Sequence, residues 1–199
     1  MKTPQPVVLS GVRVRLEPLD ERHRDDLAAA AEADRSAFSL YGPVFYEGGV
    51  DGWLRAALAE RASGSRFPFC VIEAASGRAI GSSSYLDIAP ADRRIEIGHT
   101  WYGGPWQGSG LNPEAKLLLL DHAFDELGAI RVAFKCDAQN EQSRRGIARI
   151  GGTFEGVLRK HSLRGDASGT QRDTAYFSII DDEWPAVRAR LVALTERSC

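Results

Sequence analysis

The sequence predicts an α/β fold, mixed and partly α+β in character: a central mixed sheet of about seven strands flanked by helices. Two observations carry this. Three strand-like segments follow one another with only short turns between them, the pattern of an antiparallel meander. A strand, a glycine-rich loop, a helix and a strand then come in that order, a βαβ unit whose two strands run parallel through a right-handed crossover. The chain has 199 residues, 43% of them hydrophobic and 26% charged, which suits one sizeable core and excludes a disordered or fibrous protein. Residues 1–10 are expected to be a loose tail and 11–199 a single domain.

From Val12 to Leu16 apolar residues alternate with Arg13, Arg15 and Glu17, the period of a half-buried strand, and Pro18 ends it. Asp20 can cap a helix reaching about Ala33, and a second helix runs from about Asp51 to Ala62 around Trp53, Leu54 and Leu58. Between them, residues 35–50 hold Phe38, Tyr41, Phe45 and Tyr46 among glycines, an irregular aromatic segment expected to be mobile. The meander strands are Phe67–Ala74, Ala79–Ile88 and Arg94–Tyr102. After the loop Gly103–Gly110, Asn112 reads as a helix cap with Pro113 in the first turn and Glu114 at the positive end of the helix dipole. That helix should stop at Gly128, and Ile130–Cys136 is the next strand. Asn140 caps a further helix ending near Gly151 and Gly152. Strands at 153–164 and 172–180 flank a polar turn at 165–169, and a helix carrying Trp184, Val187, Leu191 and Leu194 comes last.

Lys plus Arg number 25 against 27 Asp plus Glu, without the basic excess a nucleic-acid partner would require. No apolar run approaches the roughly eighteen residues of a membrane span, and the first ten residues do not resemble a signal peptide. Cys70, Cys136 and Cys199 are too few and too scattered for a disulfide framework or a Cys-rich zinc site, which fits a cytoplasmic protein. No His, Asp or Glu cluster has metal-ligand spacing, so no metal is expected.

A glycine-rich turn entering a helix aims backbone N–H groups at one point and suits a phosphate or pyrophosphate; the alternative is a plain tight turn. A dinucleotide fingerprint fails because Pro113 stands where its third glycine belongs, and a P-loop fails for want of Gly-Lys-Ser/Thr. At this loop the sequence resembles the GNAT N-acetyltransferase superfamily. Gln107-Gly108-Ser109-Gly110-Leu111-Asn112 fits its acyl-CoA loop, Gln/Arg-x-x-Gly-x-Gly/Ala, with Asn112 departing at the small-residue place. The Val12–Leu19 opening, Glu96-Ile97-Gly98, Trp106–Leu111, Asn140-x-x-Ser143 and the Trp184 tail are similar to the branch containing the ribosomal-protein-alanine acetyltransferases. The resemblance implies a sheet splayed between its fourth and fifth strands, acetyl-CoA as acyl donor with its pyrophosphate on the loop amides, and an amine acceptor, either a small molecule or a protein N-terminus.

Acetyl transfer needs a neutral amine. A lysine side chain near pKa 10.4 costs roughly 4.6 kcal/mol to deprotonate at pH 7, a terminal amine near 7.8 only about 1. Glu96 is the expected base, acting through water from the strand face opposite Ile95 and Ile97; the alternative is a pair with Arg93 or Arg94, or exposure to solvent. The resemblance implies an oxyanion donor in the backbone around Thr100 or Trp101. It also implies a thiolate acid on the Asn140 helix, where Ile147 stands in place of the family's tyrosine and Ser143 is the replacement, with Asn140 beside the pantetheine arm. Without the family, Asn140 and Ser143 read as ordinary helix-start residues. His99 is expected to pack in the core with Ile95 and Ile97, and His161 to be an exposed strand histidine. The leading reading is thus an acetyl-CoA-dependent N-acetyltransferase; its rival is a non-catalytic member of the same fold that binds acyl-CoA or a protein partner. The acceptor's identity and the oligomeric state, a homo-oligomer included, are open at this level.

Overall fold

The computed structural model describes residues 1–33, 48–163 and 169–196. Most of the aromatic stretch, the turn at 165–168 and Cys199 lie outside the described residues. Among these residues eight strands form one sheet: β1 (Leu9–Ser10), β2 (Val14–Pro18), β3 (Arg66–Glu73), β4 (Ala79–Ala89), β5 (Arg94–Tyr102), β6 (Arg131–Asp137), β7 (Thr153–Leu163) and β8 (Gln171–Ile180). Their spatial order is β1-β2-β3-β4-β5-β6-β8-β7. All neighbours are antiparallel except β5 and β6, the parallel pair of the expected βαβ unit. The bounds of β5 are those read from the sequence.

The expectation of a loose tail over residues 1–10 is corrected. Leu9 and Ser10 pair with Leu16 and Arg15, the Lys2 N–H donates to the Leu127 carbonyl, and the Met1 amino group donates to the Pro90 carbonyl. Backbone pairing of this kind needs no side-chain pattern, so the alternation that reveals a strand was absent. The extra short strand raises the count from seven to eight. It also moves the expected splay to between β5 and β6 in this numbering.

Among the described residues, five α-helices cover the sheet: α1 (Arg24–Glu32), α2 (Gly49–Ser63), α3 (Leu111–Asp121), α4 (Glu141–Arg149) and α5 (Trp184–Glu196). Asp20 does cap a helical start, but of a single 3₁₀ turn (Glu21–His23) that leads into α1. Two cores result, one on each face. Leu16, Phe69, Tyr85, Ile95, Ile97 and Val132 pack under Ala115, Leu119 and Leu120 of α3 and Leu191 of α5. On the other face Leu27 and Ala30 of α1, with Trp53 and Leu54 of α2, close over Cys70, Ile72 and Trp101. Each fully buried leucine contributes roughly 2 kcal/mol of transfer free energy. β8 is flanked on its outer side by β7, an edge strand on which Val157, Leu158 and Leu163 are exposed.

The helix after the loop departs from expectation at both ends. It does not run smoothly to Leu127: after Asp121 the backbone widens into a π turn over His122–Glu126, and Gly128 follows at φ 76°. Its cap is Gly110, not Asn112. Gly110 adopts φ 83°, a left-handed conformation open chiefly to glycine, which starts the helix one residue before Asn112.

Candidate active site

β5 and β6 share three paired residues, Arg94 with Arg131, Ile95 with Val132 and Glu96 with Ala133, and no further rung joins them among the described residues. Both strands continue, to Tyr102 and Asp137, so a gap opens beyond Glu96. A bulge lies on β5 just past this point. Gly98 pairs with Ser84 and Trp101 with Ser82, so His99 and Thr100 stand together opposite Ser83, with His99 at φ 47°. The bulge reverses the alternation. Trp101 turns away from the Ile95 core and packs edge-on against Trp53 with ring centroids 5.3 Å apart; only its backbone remains on the strand.

His99 is therefore not the core histidine expected beside Ile95 and Ile97; it is exposed. Protein atoms nonetheless crowd its ring, and this crowding together with the nearby Arg66 charge keeps it neutral at pH 7, its pKa pushed down to about 4. The signal for this was Gly98, since glycine inside a strand often marks a bulge.

Glu96 is 5% exposed and sits on the last rung before the gap. It pairs with neither Arg93 nor Arg94; its Oε2 lies 2.6 Å from Lys135 Nζ, on the neighbouring β6. Burial pushes the carboxyl pKa up, against the hydrogen bond and charge of Lys135. Lys135 loses some basicity to burial, but Glu96 outweighs this and leaves its pKa raised. A carboxylate held closer to neutrality is a better proton acceptor at working pH. The Lys135 ammonium also lies 5.4 Å from the Tyr176 ring centroid, and the Tyr176 hydroxyl is 3.2 Å from Nε2 of His161, which is exposed as expected.

The glycine loop is braced from outside its rim. Gln107 Nε2 donates to the Tyr102 carbonyl at 3.1 Å, and Ser109 Oγ to the Trp106 carbonyl at 2.6 Å. Arg13 Nη2 donates to the Ser109 carbonyl, and the buried Glu114 accepts from the backbone N–H groups of Val12 and Arg13. Gly108 adopts φ 71°, and a Cβ there would meet nothing within 4 Å, so the loop has an open side. Leu111 and Asn112, first and second in α3, have N–H groups beyond the reach of the helix's own carbonyls. Leu111's side chain is buried in the core, and the Asn112 Oδ1 is buried without a hydrogen-bond partner among the described residues.

At the start of α4, Asn140 caps as expected, its Oδ1 accepting from the Ser143 N–H at 2.9 Å. Burial pushes the Cys136 thiol pKa up and the nearby Ser143 hydroxyl opposes this; Cys136 lies near the end of β6, so Ser143 stands beside a strand bordering the gap. Ile147 is buried in the core, so no polar group replaces the family's tyrosine at that position.

Lys116 was not anticipated. It is 5% exposed, on the core side of α3, and its Nζ donates to Thr100 Oγ1 at 2.5 Å and Ser83 Oγ at 3.0 Å. Its place four residues before Leu120 and three before Leu119, inside an apolar run, was the available signal.

The mixed sheet thus parts beside its parallel pair, and a glycine-rich helix start follows the strand that borders the opening. The chain belongs to the acetyltransferase (GNAT) domain family, whose profile matches residues 13–153. It is similar to the ribosomal-protein-serine acetyltransferase of Escherichia coli, 31% identical over 104 residues that cover 52% of this chain and 56% of the relative. The chain spans little more than half the length of the curated relatives it matches. Among solved structures, a GCN5-related N-acetyltransferase from Brucella melitensis superposes with a TM-score of 0.86 at 33% identity, covering 96% of this chain and 86% of that one. The RimJ protein of Mycobacterium smegmatis, in complex with CoA-disulfide, superposes with a TM-score of 0.76 at 25% identity, covering 94% and 90%.

Proposed function

We propose that this protein transfers the acetyl group of acetyl-CoA directly to a primary amine, that of a protein N-terminus, in the cytoplasm. The observation that carries this reading is the coincidence of three features: the open glycine loop, the gap between β5 and β6, and Glu96 on the gap's last rung. The residues present suit the donor. Backbone N–H groups of Gly108, Ser109, Gly110, Leu111 and Asn112 would hold the pyrophosphate, with Gln107 bracing the loop, and Asn140 would border the pantetheine arm. The β5 backbone at Thr100 and Trp101 would supply the donor for the carbonyl oxygen. When bound, acetyl-CoA supplies an activated thioester carbonyl.

Glu96 takes the proton of the acceptor ammonium through a water, and Lys135 keeps the carboxylate oriented. Ser143 would relay to the departing sulfur the proton that the nitrogen gives up on forming the amide, its own hydroxyl being restored in the same transfer. Arg66, Lys135 and Arg172 act electrostatically on His99 with one sign and Glu60 with the other, and Arg66 and Lys135 are themselves paired with Glu60 and Glu96. An amine of low pKa is the cheapest acceptor to deprotonate, which supports a protein N-terminus over a polyamine. The ribosomal-protein acetyltransferase among the relatives supports a protein substrate. The buried free thiols of Cys70 and Cys136 support a reducing compartment; no helix among the described residues is long and apolar enough to cross a membrane.

Thiol release from acetyl-CoA, measured against N-terminal peptides, polyamines and aminoglycosides, tests the reading. Turnover with peptides is the expected result. Tight acetyl-CoA binding with no thiol release on any amine would replace it by the non-catalytic alternative.

A further inference from the structure

Lys116 has no carboxylate in ion-pair range among the described residues, and both its hydrogen-bond partners are hydroxyls, Ser83 Oγ and Thr100 Oγ1, themselves 2.8 Å apart. Burying an ammonium without a counter-charge is costly, and a methionine would fill the same space without that cost. The position therefore has a polar task. That task lies at the bulge: Thr100 is one of its two residues, Ser83 is the residue opposite, and the other bulge residue, His99, is held at φ 47°, where a side chain is strained. The three polar groups grip the bulge from the α3 face, while the cleft with Glu96 and His99 lies on the other.

We infer that Lys116 is a positioning residue for acyl transfer: by tying Thr100 to Ser83 across β4 and β5 it fixes the bulge, and with it the strand backbone against which the acyl carbonyl is placed. This rests on the reading of the gap as the acetyl-CoA site. Burial lowers the Lys116 pKa to about 7, so near neutrality a large share is free amine. A free amine has two N–H donors, one for each hydroxyl oxygen, and a hydroxyl proton serves the Ser83–Thr100 contact, so each side of the triangle holds one hydrogen bond.

The test compares Lys116→Met, Thr100→Val, Ser83→Ala and the Lys116→Met/Thr100→Val double variant by acetyl-CoA calorimetry, steady-state kinetics and amide hydrogen exchange on the free protein. In Lys116→Met, acetyl-CoA affinity and acceptor KM stay within about twofold, while kcat falls about ten- to hundredfold, as expected when reacting groups are displaced by up to an ångström. Exchange at residues 99–101 accelerates. Thr100→Val shows the same kcat loss, and the double variant loses no more than either single, because all act through one lock. A Lys116→Met protein with wild-type kcat would overturn the proposal, as would losses that multiply in the double variant. If Lys116→Met does not fold, Thr100→Val keeps the lysine and carries the same kcat and exchange predictions. Wild-type protein that binds no acetyl-CoA would overturn the site reading and this role together; wild-type binding with unchanged variant kinetics would overturn the role alone.

Discussion

Glu96 on β5 and Lys116 on α3 show two ways of holding a buried ionisable group. Glu96 keeps a counter-ion in Lys135, and removing its proton-accepting oxygen is a functional change: Glu96→Gln should lower turnover at neutral pH by about 10²–10⁴ and recover partly at high pH, where the amine sheds its proton unaided. Rates equal to wild type across pH 6–9 would show that another group takes the proton. Ser143→Ala should cost about tenfold in single-turnover rate, about 1.4 kcal/mol, with acetyl-CoA affinity intact, because a coenzyme A thiol leaves fairly well without an acid. Lys116 has hydroxyl partners and no counter-ion among the described residues, and its signature is stability against pH. The unfolded lysine keeps its proton to about pH 10.4, whereas the folded one releases it at about 7. Between those values the unfolded state binds more protons, so wild-type stability rises with pH across that window. Lys116→Met removes this rise. Its gain in Tm should be largest at and below pH 7 and shrink toward pH 10, as paired melts at several pH values would reveal.

Helix starts and strand irregularities are where the polar chemistry concentrates. Asn140→Ala removes a side-chain cap and should cost about 1 kcal/mol of stability along with some acetyl-CoA affinity. Gly110→Val forces a branched residue to φ 83° at the loop and should abolish measurable acetyl-CoA binding while leaving a folded, less stable protein; unchanged affinity by calorimetry would remove the loop from the site. The elements that announced themselves were those with regular period. Arg94–Tyr102 alternated cleanly enough to be bounded correctly, and Asn140 stood at a cap position with its helix behind it. What was hidden broke a period. The His99–Thr100 bulge inverts the faces beyond it, so counting by twos sent His99 to the core. Gly110 displaced Asn112 as cap because a left-handed glycine needs no side-chain oxygen, and cap preference alone favours the asparagine. The Lys135 partnership of Glu96 depends on two strands joined through a helical crossover, a register that no local spacing encodes.

At the scale of the molecule, the site is a place where the sheet stops pairing, and the surroundings compensate. Glu114 ties α3 to the N-terminal segment through two backbone N–H groups while Arg13 reaches the loop, so the loop's support comes from residues about a hundred positions away. Glu114→Ala leaves those part-buried N–H groups without their carboxylate and should lower stability by about 1–2 kcal/mol, or roughly 3–6 °C in Tm for a chain of this size; a shift under 2 °C would show that water takes over. The outer border of the sheet has a different consequence. β7 presents exposed Val157, Leu158 and Leu163 along an unpaired margin, yet its pairing with β8 shifts register twice, and Lys160 between them sits at φ 51° beside Arg159. A kinked, cationic margin is a poor template for another chain. Colloidal solubility at high concentration therefore depends on Arg159 and Lys160: replacing both with valine should raise light scattering steeply with concentration while the circular dichroism spectrum stays that of the parent.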